Sequence, residues 1–257
     1  MIRPPRRIHH GDELSLTDHL DELRSRLLIA GATVLTGTIV GYLVHRRVLA
    51  LLIDALPAQH RQLVTFGVTE PFTTSLKLSI VIGIAFAMPI VLWQLWAFFA
   101  PALDRNSANG FGMFGALAAV LMVCGVAFGY RIALPAALHF LTNYDSSVYT
   151  IQIRASDYLS FATLVLAACG AVFELPVAIL GLVRVGALTS ARLRRNRRIG
   201  YFIVAIIGVA LPGVDPVTTI VETIPLAALY EASIWLAVIF ERRWQRAALT
   251  STITPAT

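Results

Sequence analysis

Residues 158–183 read YLSFATLVLAACGAVFELPVAILGLV, and Glu174 is the one charged side chain among them. A helix needs about 20 apolar residues to cross the hydrocarbon core of a bilayer, so this run reads as a spanning segment, not as the half-buried helix of a soluble domain. A carboxylate there costs about 2.5–3.5 kcal/mol on insertion scales and asks for a reason. Pro176, two residues further on, frees carbonyls of the preceding turn and predicts a kink. Similar runs stand at about 27–44, 72–100, 111–130, 199–211 and 217–240. The chain is therefore expected to be an all-α polytopic integral membrane protein with six transmembrane helices.

Composition agrees. Of 257 residues, 57% are apolar and 14% charged, against about 25% charged in soluble domains. A soluble enzyme is excluded on that ground, and six spans with short loops leave little chain for anything else. The reading is one membrane domain over 1–257: a tail and amphipathic helix over 1–26, six spans over 27–240, and a second tail over 241–257. The first apolar run begins near Leu27, after a charged helical stretch, and reads as a true span and not a cleaved signal. No internal repeat is visible.

Lys77 is the sole lysine among 21 basic residues, and the arginines divide unevenly between alternate loops. Fifteen fall before the first span, after the second, after the fourth and in the C-terminal tail, whereas five (Arg46, Arg47, Arg61, Arg131 and Arg154) fall in the opposite set. The positive-inside rule then puts both termini in the cytoplasm. Ile199–Leu211 has 13 residues, roughly 20 Å of helix against a core of about 30 Å. The last two spans are thus short, and Pro212, Gly213 and Pro216 force a turn whose tip at Asp215 sits low, or the bilayer thins around it. Arg46 to Pro57, with Leu49, Leu52, Ile53 and Leu56 on one face, is expected to lie as a separate short helix on the outer interface.

Motifs for catalysis are missing. There is no HExxH, no Gly-x-Ser-x-Gly and no P-loop, and the six histidines have no metal-ligand spacing. Cys124 and Cys169 lie inside apolar runs and read as packing residues. No cofactor, metal or nucleic-acid partner is implied. Gly37-xxx-Gly41 and Gly125-xxx-Gly129 permit close helix approach, but such matches arise easily among 17 glycines. Trp93, Trp96, Trp235 and Trp244 fit an inner aromatic belt.

The charged positions carry the functional argument. Leu16, Leu20, Leu23 and Leu27 form one stripe of a helix whose other face holds Asp18, Asp21 and Glu22, then Arg24 and Arg26. Ordinary helix electrostatics, with Glu22 and Arg26 at i, i+4, accounts for the pattern. The sharper alternative is a free Glu22 at the inner interface that receives a partner's guanidinium, for which lysine is a poor substitute. Glu174 either satisfies groups freed by Pro176 or forms a polar point in a groove for another chain. Glu222 lies near the outer end of the last span and Glu231 near its inner end; Lys77 pairs with Glu70 or snorkels.

Together these segments resemble the TatC family, the polytopic receptor subunit of the twin-arginine protein translocase. The resemblance runs through Asp18-His19-Leu20-Asp21-Glu22-Leu23-Arg24-Ser25-Arg26-Leu27, Thr69-Glu70-Pro71-Phe72, Pro89, Trp93-Gln94-Leu95-Trp96-Ala97-Phe98, Ala100-Pro101-Ala102-Leu103, Phe173-Glu174-Leu175-Pro176-Val177 and Asp215-Pro216-Val217. It implies a bacterial cytoplasmic-membrane receptor that binds twin-arginine signal peptides of folded proteins, recruits single-span TatA and TatB partners, forms a homo-oligomer in the receptor complex and uses proton-motive force. By resemblance, Leu20, Glu22, Arg24, Gln94, Phe98, Asp104, Arg105 and Glu174 would contact the signal peptide. Pro212, Asp215, Thr219 and Glu222 would dock partners, and Glu70, Pro71, Pro89 and Pro176 would be structural. Two departures stand out: Ser107 occupies the place of a usual loop glutamate, leaving Asp104 as a shifted substitute, and Leu211-Pro212-Gly213-Val214-Asp215 replaces the usual Thr-Pro-Pro-Asp, with Thr219 where glutamine is common. The alternatives are a proton-coupled transporter using Glu174, Glu222 and Glu231 as a relay, and an assembly factor that reads no signal.

Overall fold

The computed structural model describes residues 16–99, 111–149, 151–212 and 215–253, with side chains over 20–95, 114–149, 151–212 and 215–243. All regular structure in these residues is helical; α1 is Leu16–Asp54, α2 Glu70–Phe99, α3 Phe111–Phe128, α4 Leu134–Asn143, α5 Ala155–Phe173, α6 Leu175–Arg184, α7 Ser190–Arg195, α8 Arg197–Ala210 and α9 Pro216–Ile253. A π-turn over Gly129–Ala133 joins α3 to α4 without a break. Five helical stretches are long and apolar enough to cross a membrane: Leu20–Asp54, Glu70–Leu95, Phe114–Asn143, Ala155–Arg184 and Pro216–Arg243. The remaining expected span is α8, which at 14 residues falls short of that length.

Three expectations are corrected. The amphipathic N-terminal segment, the first span and the supposed interfacial helix at 46–57 are a single 39-residue helix, α1. Nothing in Val44-His45-Arg46-Arg47 breaks a helix; the charges change only its surroundings. The last turns of α1 also do not lie flat on an interface, since Leu52 and Leu56 are almost fully buried in the core with Leu134, Leu138, Tyr158 and Leu159. Tyr130 and Tyr158 donate their hydroxyls to the Leu51 and Leu52 carbonyls, which also accept from the Ala55 amide, and so tie the π-turn and α5 to the end of α1. Finally, the glycine pairs are true contacts. A Cβ on Gly37 would stand 2.9 Å from the Gly83 oxygen, and one on Gly125 would stand 2.6 Å from the Cys169 oxygen. Bare backbone is what lets α1 meet α2, and α3 meet α5, so closely.

The core has two halves. One gathers the end of α1 with α4 and the start of α5; the other packs Val172, Leu180, Leu193, Leu226, Tyr230 and Ile234 from α5, α6, α7 and α9. Hydroxyls inside these apolar layers bond back to their own helices, as Thr74 does to the Glu70 carbonyl at 2.7 Å and Ser79 to that of Ser75 at 2.7 Å. Lipid-range apolar side chains such as Leu35, Leu43, Phe86, Val123, Phe202 and Ile224 remain exposed on the outside of the bundle, as expected where lipid replaces water.

Candidate functional site

Glu22 stands one turn and a half into α1, among polar residues of its exposed end. Its Oε1 accepts from Arg26 Nη2 at 2.6 Å and Nε at 3.0 Å, and Arg26 Nη1 donates to Gln94 Oε1 of α2 at 3.1 Å. Among the described residues Glu22 Oε2 is buried without a partner. The carboxylate is therefore half committed: one oxygen is held by a guanidinium that α2 orients, and the other has the desolvation cost of burial with no bond to offset it. A carboxylate oxygen of this kind accepts from a guanidinium with better geometry than from an ammonium. Arg26 as the bridge to Gln94 is a component that the sequence reading treated only as an i, i+4 pair.

The other expected signal contacts divide. Leu20 and Arg24 are exposed on the same helix end, with Leu20, Leu23 and Leu27 at 61%, 45% and 69% exposure. Among the described residues nothing covers this apolar stripe. Phe98 belongs to α2, but its side chain, like the whole of Asp104 and Arg105, lies outside the described residues. Glu174 sits at the break between α5 and α6, where the helix ends at Phe173 and restarts at Leu175 ahead of Pro176. It is 4% exposed, and among the described residues neither carboxylate oxygen has a partner, so it does not bond to the described carbonyls around Pro176.

At the far hairpin Asp215 is a buried helix cap, accepting from the Thr218 amide at 2.8 Å and its hydroxyl at 2.5 Å. Pro212 and Thr219 are half-buried at the rim, while Glu222 is 3% exposed with both oxygens unpartnered among the described residues. Glu231 does not join these two carboxylates: it pairs with Arg197 at 3.0 Å and accepts from Tyr201 and Trp235, which removes it from the proposed relay.

Glu70 is the hub of the opposite end. It accepts from Arg154 Nε at 3.0 Å and Nη2 at 3.1 Å, from the Ser156 amide at 3.2 Å and from the Phe66 and Gly67 amides at 3.0 and 3.3 Å. Its partner is Arg154 and not Lys77, which lies exposed; the carboxylate beside it raises the Arg154 guanidinium above its ordinary value. A parallel bridge between Val64 and Arg154 joins the same two loops. Pro71 and Pro89 lie within α2, Pro71 in its first turn and Pro89 in its interior.

Among the described residues no group of three or more histidine, cysteine or acidic side chains could hold a metal. Five helices long and apolar enough to cross a membrane define a polytopic membrane protein. A family model described as "Sec-independent protein translocase protein (TatC)" matches residues 18–225. The chain is 33% identical over 225 residues to the TatC protein of Carboxydothermus hydrogenoformans, covering 87% of this chain and 93% of that one. It is 32% identical over 235 residues to TatC of Listeria innocua, covering 91% and 95%. A crystal structure described as twin arginine translocase receptor TatC superposes with a TM-score of 0.73 at 31% identity, covering 86% of this chain and 98% of that one. The chain belongs to the TatC family: it is a membrane component of a protein translocase and not an enzyme.

Proposed function

We propose that this chain is the receptor subunit of a twin-arginine translocase in a bacterial cytoplasmic membrane, and that Glu22 reads the arginine pair of the signal peptide. The observation that supports this most is the unpartnered, buried Oε2 of Glu22 beside the Arg26–Gln94 bridge. Leu20, Leu23 and Leu27 offer an uncovered apolar strip next to it, suited to the hydrophobic part of such a peptide. Asp104 and Arg105, which follow α2 in the sequence, contribute to signal binding in this reading, and Glu174 is a polar point for the same peptide. Both termini face the cytoplasm, α8 and the start of α9 form a short hairpin counted as the fifth and sixth spans, and single-span TatA or TatB partners dock on its rim at Pro212 and Thr219. Asp215 and Glu222 frame that rim from inside. Proton-motive force drives transport through the assembled complex.

Export of a twin-arginine reporter in cells carrying only this TatC, with its cognate partners, tests the reading. Glu22→Ala is expected to stop export while the protein accumulates normally. Unchanged export would overturn the assignment of Glu22.

A further inference from the structure

The end of the bundle that carries α7 holds Arg192, Arg194, Arg195, Arg197 and Arg198 within seven residues. Between α7, the start of α8 and α9 opens a wide-mouthed cleft of about 530 Å³ lined by Ala191, Arg194, Arg195, Arg197 and Trp235. Its back wall is fixed. Glu231 holds Arg197 at 3.0 Å and the Trp235 indole nitrogen at 3.1 Å, and the Arg197 guanidinium lies 5.9 Å from the Trp235 ring centroid. Among the described residues Arg197 Nε is nevertheless buried without a partner. Arg194 and Arg195 are exposed and make no ion pair among the described residues.

We propose that this cleft binds a phosphodiester anion, supplied by the headgroup of an anionic phospholipid. Three guanidinium groups around an open volume suit phosphate oxygens, which they bond through several N–H groups at once. Lipid is favoured over a soluble phosphate by what flanks the cleft. Trp235 and Tyr201, both bonded to Glu231, are 55% and 40% exposed, and Ile224 on α9 is 65% exposed. Ile224 and Trp235 are eleven residues apart on α9, three turns along one face. An acyl chain can lie on that face while its headgroup occupies the cleft, and a tryptophan at the boundary is where an interfacial ring belongs. The inference does not depend on how the signal peptide is read.

Native mass spectrometry of the detergent-purified chain with added phosphatidylglycerol or phosphatidylcholine provides the test. The expected result is retention of phosphatidylglycerol over phosphatidylcholine, weakened about tenfold or more in R194Q/R195Q. The double variant R242Q/R243Q removes the same charge at the same end but outside the cleft, and it should keep near-wild-type binding. Equal losses in the two variants would reduce the effect to diffuse charge and overturn the site, as would no loss in either. Displacement of the lipid by millimolar inorganic phosphate would overturn the lipid as occupant.

Discussion

Glu22 gives one carboxylate oxygen to Arg26 and keeps the other unbonded in a buried place. Glu22→Gln leaves an acceptor for Arg26 but turns half of the group into an N–H donor and removes its charge. A charge-assisted hydrogen bond contributes about 1.5–3 kcal/mol, so the variant is expected to fold normally and to lose about tenfold or more in affinity for a twin-arginine peptide, together with its preference over twin-lysine. Fluorescence titration of labelled peptides against the chain in nanodiscs with its partners checks this. The helix spacing of Glu22 and Arg26 was legible in the sequence, because i, i+4 geometry is local. Gln94 at the other end of the guanidinium was not legible as Arg26's partner, since that contact exists only once α2 lies against α1. The same holds for Glu70. Its importance could be read from Glu70-Pro71, but Arg154, 84 positions away, becomes its partner only when two loops meet.

At the scale of elements, glycine decides how closely the helices pack. A Cβ on Gly83 would stand 2.7 Å from the Thr38 Cα, whereas one on Gly31 would meet nothing within 4 Å. Gly83→Ala is therefore expected to cost about 1–3 kcal/mol, and Gly31→Ala to be neutral or stabilising by a few tenths. Thermal unfolding in detergent should separate the two, and equal effects would contradict the close α1–α2 packing. Glu70→Ala should free the outer loops, seen as faster proteolysis within residues 61–69 and 151–154, because their cross-links converge on this one carboxylate. Helix identity was readable from the apolar runs throughout. Continuity was not: Pro57 and an amphipathic pattern suggested a separate helix at 46–57, yet α1 simply continues until its end is buried. Conversely, the kink expected from Pro176 appears as a one-residue interruption at Glu174, whose backbone stays in the right-handed helical region while Ala155–Arg184 continues as one stretch.

Across the whole molecule, helix lengths set the relation to the bilayer. α1 has 39 residues, roughly 58 Å of helix, and extends beyond a core of about 30 Å. α8 has 14 residues, about 21 Å, and cannot reach across the same core. With α8 as a span, as proposed, the bilayer thins beside the α8–α9 hairpin or its tip stays submerged. Val217, 37% exposed at the start of α9, distinguishes these outcomes. A cysteine there should react with an impermeant maleimide added from the outer side, and absence of labelling in folded protein would contradict thinning. The six-span reading of the sequence and the five long helices of the structure differ in count at α8; the expectation that the last helix is short as well is corrected, since α9 runs for 38 residues and holds a spanning stretch over Pro216–Arg243.

The most direct test of the receptor account is site-specific crosslinking from position 22, in membranes containing the cognate single-span partners, to a twin-arginine signal peptide and to its twin-lysine variant. The account predicts strong crosslinks to the arginine peptide that fade with lysine. Crosslinks that are equal for both peptides, or absent for both, would contradict it.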